Sequence, residues 1–210
     1  AFVSFVFCRV RHLVLHLSIR RQRQRCIRDR IGAFIAAGQE VAASDARVVL
    51  LSGEGKGFCA GIDITGLSGM VGKDPEALIM PRTHGEGTTN KWQEVAMVWH
   101  RLEIPVIAAL HGVVYGAGLQ IALGADVRIA APETKLAVME MKWGIVPDMG
   151  GMVLLPRLLR SDVLRRLTYT APPVAAAQGA SGPFYTSDPS AAKGGREEGG
   201  ARGPTKTDEE

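Results

Sequence analysis

Ile107-Ala-Ala-Leu-His-Gly-Val-Val-Tyr-Gly-Ala-Gly-Leu-Gln-Ile-Ala-Leu-Gly-Ala-Asp-Val127 decides how this chain is read. Pro105 to Leu110 is an apolar run with the length of a buried strand. His111-Gly112 predicts a turn, and the small residues Gly116-Ala117-Gly118 follow. The next apolar stretch predicts a short helix from Leu119 to about Ala125. Small residues at a helix start leave backbone N–H groups open to a ligand. Such groups can hold a developing oxyanion, often the largest single contribution in acyl chemistry. A second small-residue loop, Gly57-Phe-Cys-Ala-Gly-Ile-Asp63, lies upstream and can supply a second N–H.

Outward from this stretch, residues 34–178 read as one α/β domain. Phe34 to Ala43 predicts the end of a helix, and Arg47 to Ser52 a short buried strand closed by Gly53. Residues 64–88, rich in Gly, Pro and Thr, predict a long irregular connection. Trp92, Val95, Ala96, Trp99 and Leu102 recur at helical spacing, so Asn90 to Arg101 predicts an amphipathic helix. It must end before Ile104-Pro105. Strands are expected at 105–110, 126–130 and about 135–138. A helix from Gly150 to Leu159 should be interrupted at Pro156, and another should start at Ser161-Asp162 and run through Leu167.

The chain has 210 residues, enough for a sizeable core, and 46% hydrophobic content fits a globular domain. No apolar run reaches the roughly 18 residues of a membrane span. The net charge of +4 is unevenly spread. Residues 1–30 hold eight arginines against the single acid Asp29, a net +7, which leaves −3 for residues 31–210. The main body thus has no general attraction for nucleic acid. Cys8, Cys26 and Cys59 form neither a disulfide framework nor a metal motif, and a reducing, cytoplasmic compartment is expected. Residues 1–33 look foreign to the rest. Three readings compete there: a mitochondrial targeting segment, which would place the protein in the matrix, a nucleic-acid-binding arm, or sequence out of frame with the domain. Residues 179–210 are dense in Gly, Pro, Ser and charge, and predict a disordered tail.

Three segments together resemble the crotonase family, the enoyl-CoA hydratase/isomerase superfamily. They are residues 107–127, the loop Lys56-Gly-Phe-Cys-Ala-Gly-Ile-Asp63, and Leu136-Ala-Val-Met-Glu-Met-Lys-Trp-Gly-Ile-Val-Pro-Asp-Met-Gly-Gly151. The match spans roughly residues 34–170. The resemblance implies an α/β spiral of ββα units and a homotrimer or hexamer. It implies an acyl-CoA thioester as ligand, no metal or redox cofactor, and a place in fatty-acid β-oxidation. The thioester oxygen would sit between the N–H groups of Ile62 and Ala117, with Ala60, Asp63, Ile64 and Gly116 around the ligand. Two family features are not found: an Asn-Arg-Pro strand before residue 34, and the C-terminal helices after about 170.

The carboxylates bear on the reaction. Hydratases of this family resemble one another in two glutamates that activate a water. The first position here is Gln120 and the second is Glu140. A glutamine cannot ionise, so it cannot act as a general base. Glu140 and Asp148 form another pair, eight residues apart across the turn-prone Trp143-Gly-Ile-Val-Pro147. The same two positions are acidic in dienoyl-CoA isomerases, which the chain resembles at this motif. Met139, Met141, Trp143, Ile145 and Val146 are expected to make an apolar pocket around the pair, and desolvation there would raise a carboxyl pKa.

Each position has a plainer reading. Both small-residue clusters can serve only tight turns and close packing. Asp148 can cap the helix that follows it, and Glu140 can be a solvated loop acid. His111 reads as a turn residue bonded to backbone, Asp126 as structural, Asp63 as a loop-fixing acceptor, and Cys59, Trp92 and Trp99 as packing. The favoured reaction is double-bond isomerisation of an enoyl- or dienoyl-CoA through Glu140, with Asp148 as its partner. The alternatives are a hydratase in which Gln120 positions water, and a non-catalytic fragment.

Overall fold

The computed structural model describes residues 4–7, 14–19, 27–62, 72, 74–179 and 185–186. The chain enters as β1 (Ser4–Phe7) and β2 (Val14–Ile19), passes through α1 (Ile27–Ala42) and returns as β3 (Val48–Gly53). After α2 (Pro75–Ile79) and α3 (Lys91–His100) come β4 (Val106–Leu110), β5 (Val113–Tyr115) and α4 (Ala117–Leu123). Then follow β6 (Val127–Ala130), β7 (Lys135–Ala137), α5 (Gly151–Leu158), α6 (Ser161–Thr170), β8 (Val174–Ala175) and β9 (Tyr185–Thr186).

Two sheets result, ordered β1-β2-β3-β4-β6-β9 and β5-β7-β8. The larger is parallel except for the β1–β2 pair. In the smaller, β5 and β7 are parallel and β8 is antiparallel to β7. Successive units send one strand to each sheet and then form a helix: β4, β5, α4, then β6, β7, α5. The β3 unit follows the same path, because Cys59 bridges Val114 of β5 in the parallel sense. This staircase lays the 57–62 loop beside the start of α4.

Alternation fixes the sheet's inner face. Val49 and Leu51 of β3, and Val106, Ala108 and Leu110 of β4, are buried. Helices α1 and α3 cover that face, and the Phe34 ring meets Trp99 edge-on at 6.5 Å between centroids. Helix α3 spans nearly the expected range. Asn90 caps it by accepting from the Trp92 and Gln93 N–H groups, while the Gln93 side chain accepts from the Asn90 N–H. The buried Glu94 accepts a hydrogen bond from the Thr89 hydroxyl at 2.6 Å and pairs with Arg101, which ties the 84–89 turn to α3.

Several expectations need correction. The helix read from Leu119 starts two residues earlier, at Ala117, because only Gly116 breaks the helical path. Between the His111-Gly112 turn and the small residues, Val113–Tyr115 forms a further strand, with which Cys59 and β7 both pair. Pro156 does not interrupt α5. Proline and Met152 are both exposed there, so the carbonyl of Met152, deprived of its helical donor, can face water. A strand does precede residue 34: β2 pairs along β3 from Val14↔Val48 to Ile19↔Gly53. Helix α1 runs through the boundary drawn at 33/34. The connection read as irregular over 64–88 contains α2 and a short helical turn at Gly85–Gly87. The disorder expected after residue 179 falls outside the described residues, apart from the strand at Tyr185–Thr186, which pairs with β6. Among the described residues, no helix is long and apolar enough to cross a membrane.

Candidate active site

The 57–61 loop is laced along β5. The Phe58 N–H donates to His111 O at 2.9 Å, Cys59 N–H to Val113 O at 3.1 Å, and Tyr115 N–H to Cys59 O at 3.0 Å. The buried Phe58 ring anchors the loop in the core. At its far end Gly61 has φ +96°, and a Cβ there would stand 3.0 Å from Tyr115 O and 3.8 Å from Ala117 N. The two small-residue segments therefore meet. Gly116 takes φ 51° and ψ −120°, a conformation that only glycine adopts readily. Its own N–H donates to Ala137 O at 3.0 Å. Ala117 is the first residue of α4, so its N–H has no partner within the helix. Ile62 is half-buried and Ala60 exposed; Asp63 and Ile64 lie outside the described residues.

Glu140 reaches the same place from β7. A Cβ at Gly116 would lie 3.4 Å from Glu140 Oε1, so the carboxyl stands directly over the start of α4. Glu140 is only 7% exposed. Gln120 Nε2 donates to Glu140 Oε1 at 2.7 Å, and Gln120 Oε1 accepts from the Gly151 N–H at 2.9 Å. Glu140 Oε2 is buried without a hydrogen-bond partner among the described residues. Gln120 of α4, Glu140 of the turn after β7 and the N–H of Gly151, the first residue of α5, are thus joined in one buried chain. Single-sequence reading had no signal for the Gly151 link beyond the glycine pair at 150–151.

The segment after Glu140 folds back. A helical turn at Glu140–Trp143 closes on Gly144 at φ 68°, and Ile145 N–H donates to Glu140 O at 3.2 Å. This return brings Asp148 near enough for its charge to act on Glu140. Burial pushes the Glu140 carboxyl above the usual glutamate range, and the Asp148 charge adds to that. The Glu140 backbone N–H and the Gln120 bond pull the other way. Burial likewise raises Asp148. Asp148 does not cap α5; Gly150 occupies that position, at φ 100°. Met141, Trp143, Ile145 and Val146, expected to line a pocket, are exposed instead, because the turn projects them outward. Among the plainer readings, His111 Nε2 lies 3.1 Å from Gly55 O, and Asp126 Oδ2 accepts from the Val106 N–H at 2.8 Å. Among the described residues no cluster of His, Cys, Asp and Glu could hold a metal ion.

The family model for "Enoyl-CoA hydratase/isomerase" matches residues 30–180, well over half of the chain. This protein belongs to the enoyl-CoA hydratase/isomerase family. Its members among the relatives are enzymes of both kinds. The chain is 33% identical over 160 residues to the 1,2-epoxyphenylacetyl-CoA isomerase of Escherichia coli (strain K12), covering 74% of this chain and 58% of that protein. It is 30% identical over 128 residues to a Bacillus subtilis (strain 168) protein named "Probable enoyl-CoA hydratase", covering 61% and 46%. Among solved structures, the Bacillus anthracis enoyl-CoA hydratase superposes with a TM-score of 0.69 at 27% identity, over 82% of this chain and 65% of that one. The crotonase fold implied by the resemblance is therefore this chain's fold. The chain spans about half the length of the curated relatives it matches.

Proposed function

We propose that this chain binds an acyl-CoA thioester and moves a carbon–carbon double bond along its acyl chain, with Glu140 as the base. One observation carries this reading: the buried Glu140 carboxyl has one oxygen bonded to Gln120 and the other, Oε2, unpartnered. A buried oxygen without a partner is costly unless a ligand group completes it. The thioester oxygen would accept from the N–H groups of Ile62 and Ala117. Ala60, Asp63, Ile64 and Gly116 would border the acyl group.

With a 3-enoyl thioester, Glu140 Oε2 takes a proton from C2, and the electron pair passes onto the thioester oxygen as a dienolate. The two N–H groups stabilise that charge, a contribution of about 2.7–4 kcal/mol for each donor. Glu140 then returns the proton to C4, and the double bond stands between C2 and C3. No atom is gained or lost. With a conjugated dienoyl ligand, Asp148 would be the second proton carrier, and burial favours its protonated form. Gln120 supports isomerisation over water addition, since it cannot ionise to activate a water. The exposed Met141, Trp143, Ile145 and Val146 would be covered in a homotrimer or hexamer. The coenzyme A thioester is the substrate in this reading, and no separate cofactor takes part. We place the enzyme in the cytoplasm.

Proton NMR of a 3-enoyl-CoA incubated with the protein tests the proposal. Conversion to the 2-enoyl-CoA is expected. Accumulation of a 3-hydroxyacyl-CoA from a 2-enoyl-CoA, without isomerisation, would establish the hydratase alternative.

A further inference from the structure

Gln120 is 2% exposed, and both heteroatoms of its amide are engaged. A backbone N–H can only donate, so the atom facing Gly151 must be the amide oxygen. The amide nitrogen is then forced to face Glu140. The direction of the amide is set by the main chain of α5, not by the carboxylate. Gly151 has a separate part in this. A Cβ on Gly151 would lie 2.8 Å from Gln120 Oε1, 3.1 Å from Gln120 Cδ and 3.1 Å from Pro147 Cβ. Real Cβ contacts are not that short, so any side chain at position 151 would push Gln120 aside.

We propose that Gln120 is a positioning residue: seated by the Gly151 N–H in space that only glycine leaves, its amide holds Glu140 Oε1 and fixes Oε2 as the one oxygen presented to the acyl ligand. This rests on Glu140 as the base. The clamp has a second effect. A donated N–H favours the ionised carboxylate, so it opposes the burial and the Asp148 charge that favour the acid. Asp148 and the Gln120 amide are the side-chain groups that act on Glu140; its own turn contributes the backbone N–H groups of Met139 and Glu140.

Gln120→Met removes the donor at similar volume. Gly151→Ala leaves Gln120 and Glu140 chemically intact and acts only through space. Two readouts separate the clamp from the isomerase reading: carboxyl carbon NMR titration of Glu140 in the full chain, and the pH profile of kcat/KM with a 3-enoyl-CoA. Both variants should raise the Glu140 midpoint by on the order of one pH unit, from the usual strength of a hydrogen bond to a charged group. The rising limb of the pH profile should move by the same amount, kcat should fall, and KM should stay within about threefold. Gln120→Asn, which is too short to bridge both partners, should behave like Gln120→Met. An unchanged midpoint in folded Gln120→Met or Gly151→Ala overturns the clamp. A raised midpoint supports it even if the wild-type chain shows no turnover, an outcome that sinks the isomerase reading alone.

Discussion

A side chain at Gly61 would begin 3.8 Å from the backbone nitrogen of Ala117, although Gly61 lies on a loop and Ala117 opens α4, 56 positions later. The contact makes Gly61 a sensitive place to disturb the proposed oxyanion hole. Gly61→Ala sets a methyl against Tyr115 O and forces alanine to φ +96°. We expect a stability loss of about 1–3 kcal/mol from the backbone conformation. If the Ile62 N–H is displaced with it, kcat should fall about 10²–10³-fold. Thermal melts and steady-state kinetics on the same preparation check both.

Glu140→Gln removes the base, and turnover should fall by about 10²–10⁴-fold. Its effect on stability depends on pH. Burial raises the native carboxyl above its unfolded value, so the folded state holds the proton more tightly. Wild-type stability therefore falls as pH rises from the ordinary glutamate range through the raised native value. Glutamine does not ionise and escapes that loss. The Tm difference, variant minus wild type, should grow as pH rises from the ordinary glutamate range through that raised native value. A difference that is flat with pH would place Glu140 in an ordinary solvated setting.

Asp148→Asn deletes a negative charge that raises Glu140. The rising limb of the kcat/KM profile should shift to lower pH. With a dienoyl-CoA substrate the same variant should also lose kcat, because asparagine cannot relay a proton. An unchanged limb would mean that the two acids do not sense each other.

The 84–89 turn is held to α3 through buried polar groups, with Thr89 donating to Glu94 at 2.6 Å. Thr89→Val leaves Glu94 Oε2 buried without that donor. A loss of about 1–3 kcal/mol is expected in denaturant unfolding. The double variant Thr89→Val, Glu94→Gln should lose less than the sum of the two single variants, because the charge is gone.

Much of this was legible along the chain because the signals are local. The alternation and apolar runs of Arg47–Ser52 and Pro105–Leu110 are strands, and Asn90, Trp92 and Trp99 announce a capped amphipathic helix. Two glycine clusters and Glu140 are brought together at one place. What escaped depends on partners distant in sequence. Val113–Tyr115 is too short to announce a strand by itself; only Cys59 on one side and Lys135–Ala137 on the other make it one. Asp148 has the position of a helix cap, but Gly150 ends the turn later and takes that place. Apolar character at Trp143 and Val146 cannot say whether a residue faces inward, since a turn that returns Asp148 toward Glu140 must send neighbouring side chains out. The role of Gly151 follows from a neighbour 31 residues away in sequence, Gln120.

The most direct test uses an acyl-CoA labelled with carbon-13 at the thioester carbonyl, observed by isotope-edited infrared spectroscopy when bound to the protein. A carbonyl that accepts from both Ile62 and Ala117 should absorb at clearly lower frequency than the same thioester in water, and Gly61→Ala should reverse part of that shift. A bound carbonyl with its aqueous frequency, unmoved by Gly61→Ala, would contradict the proposed site.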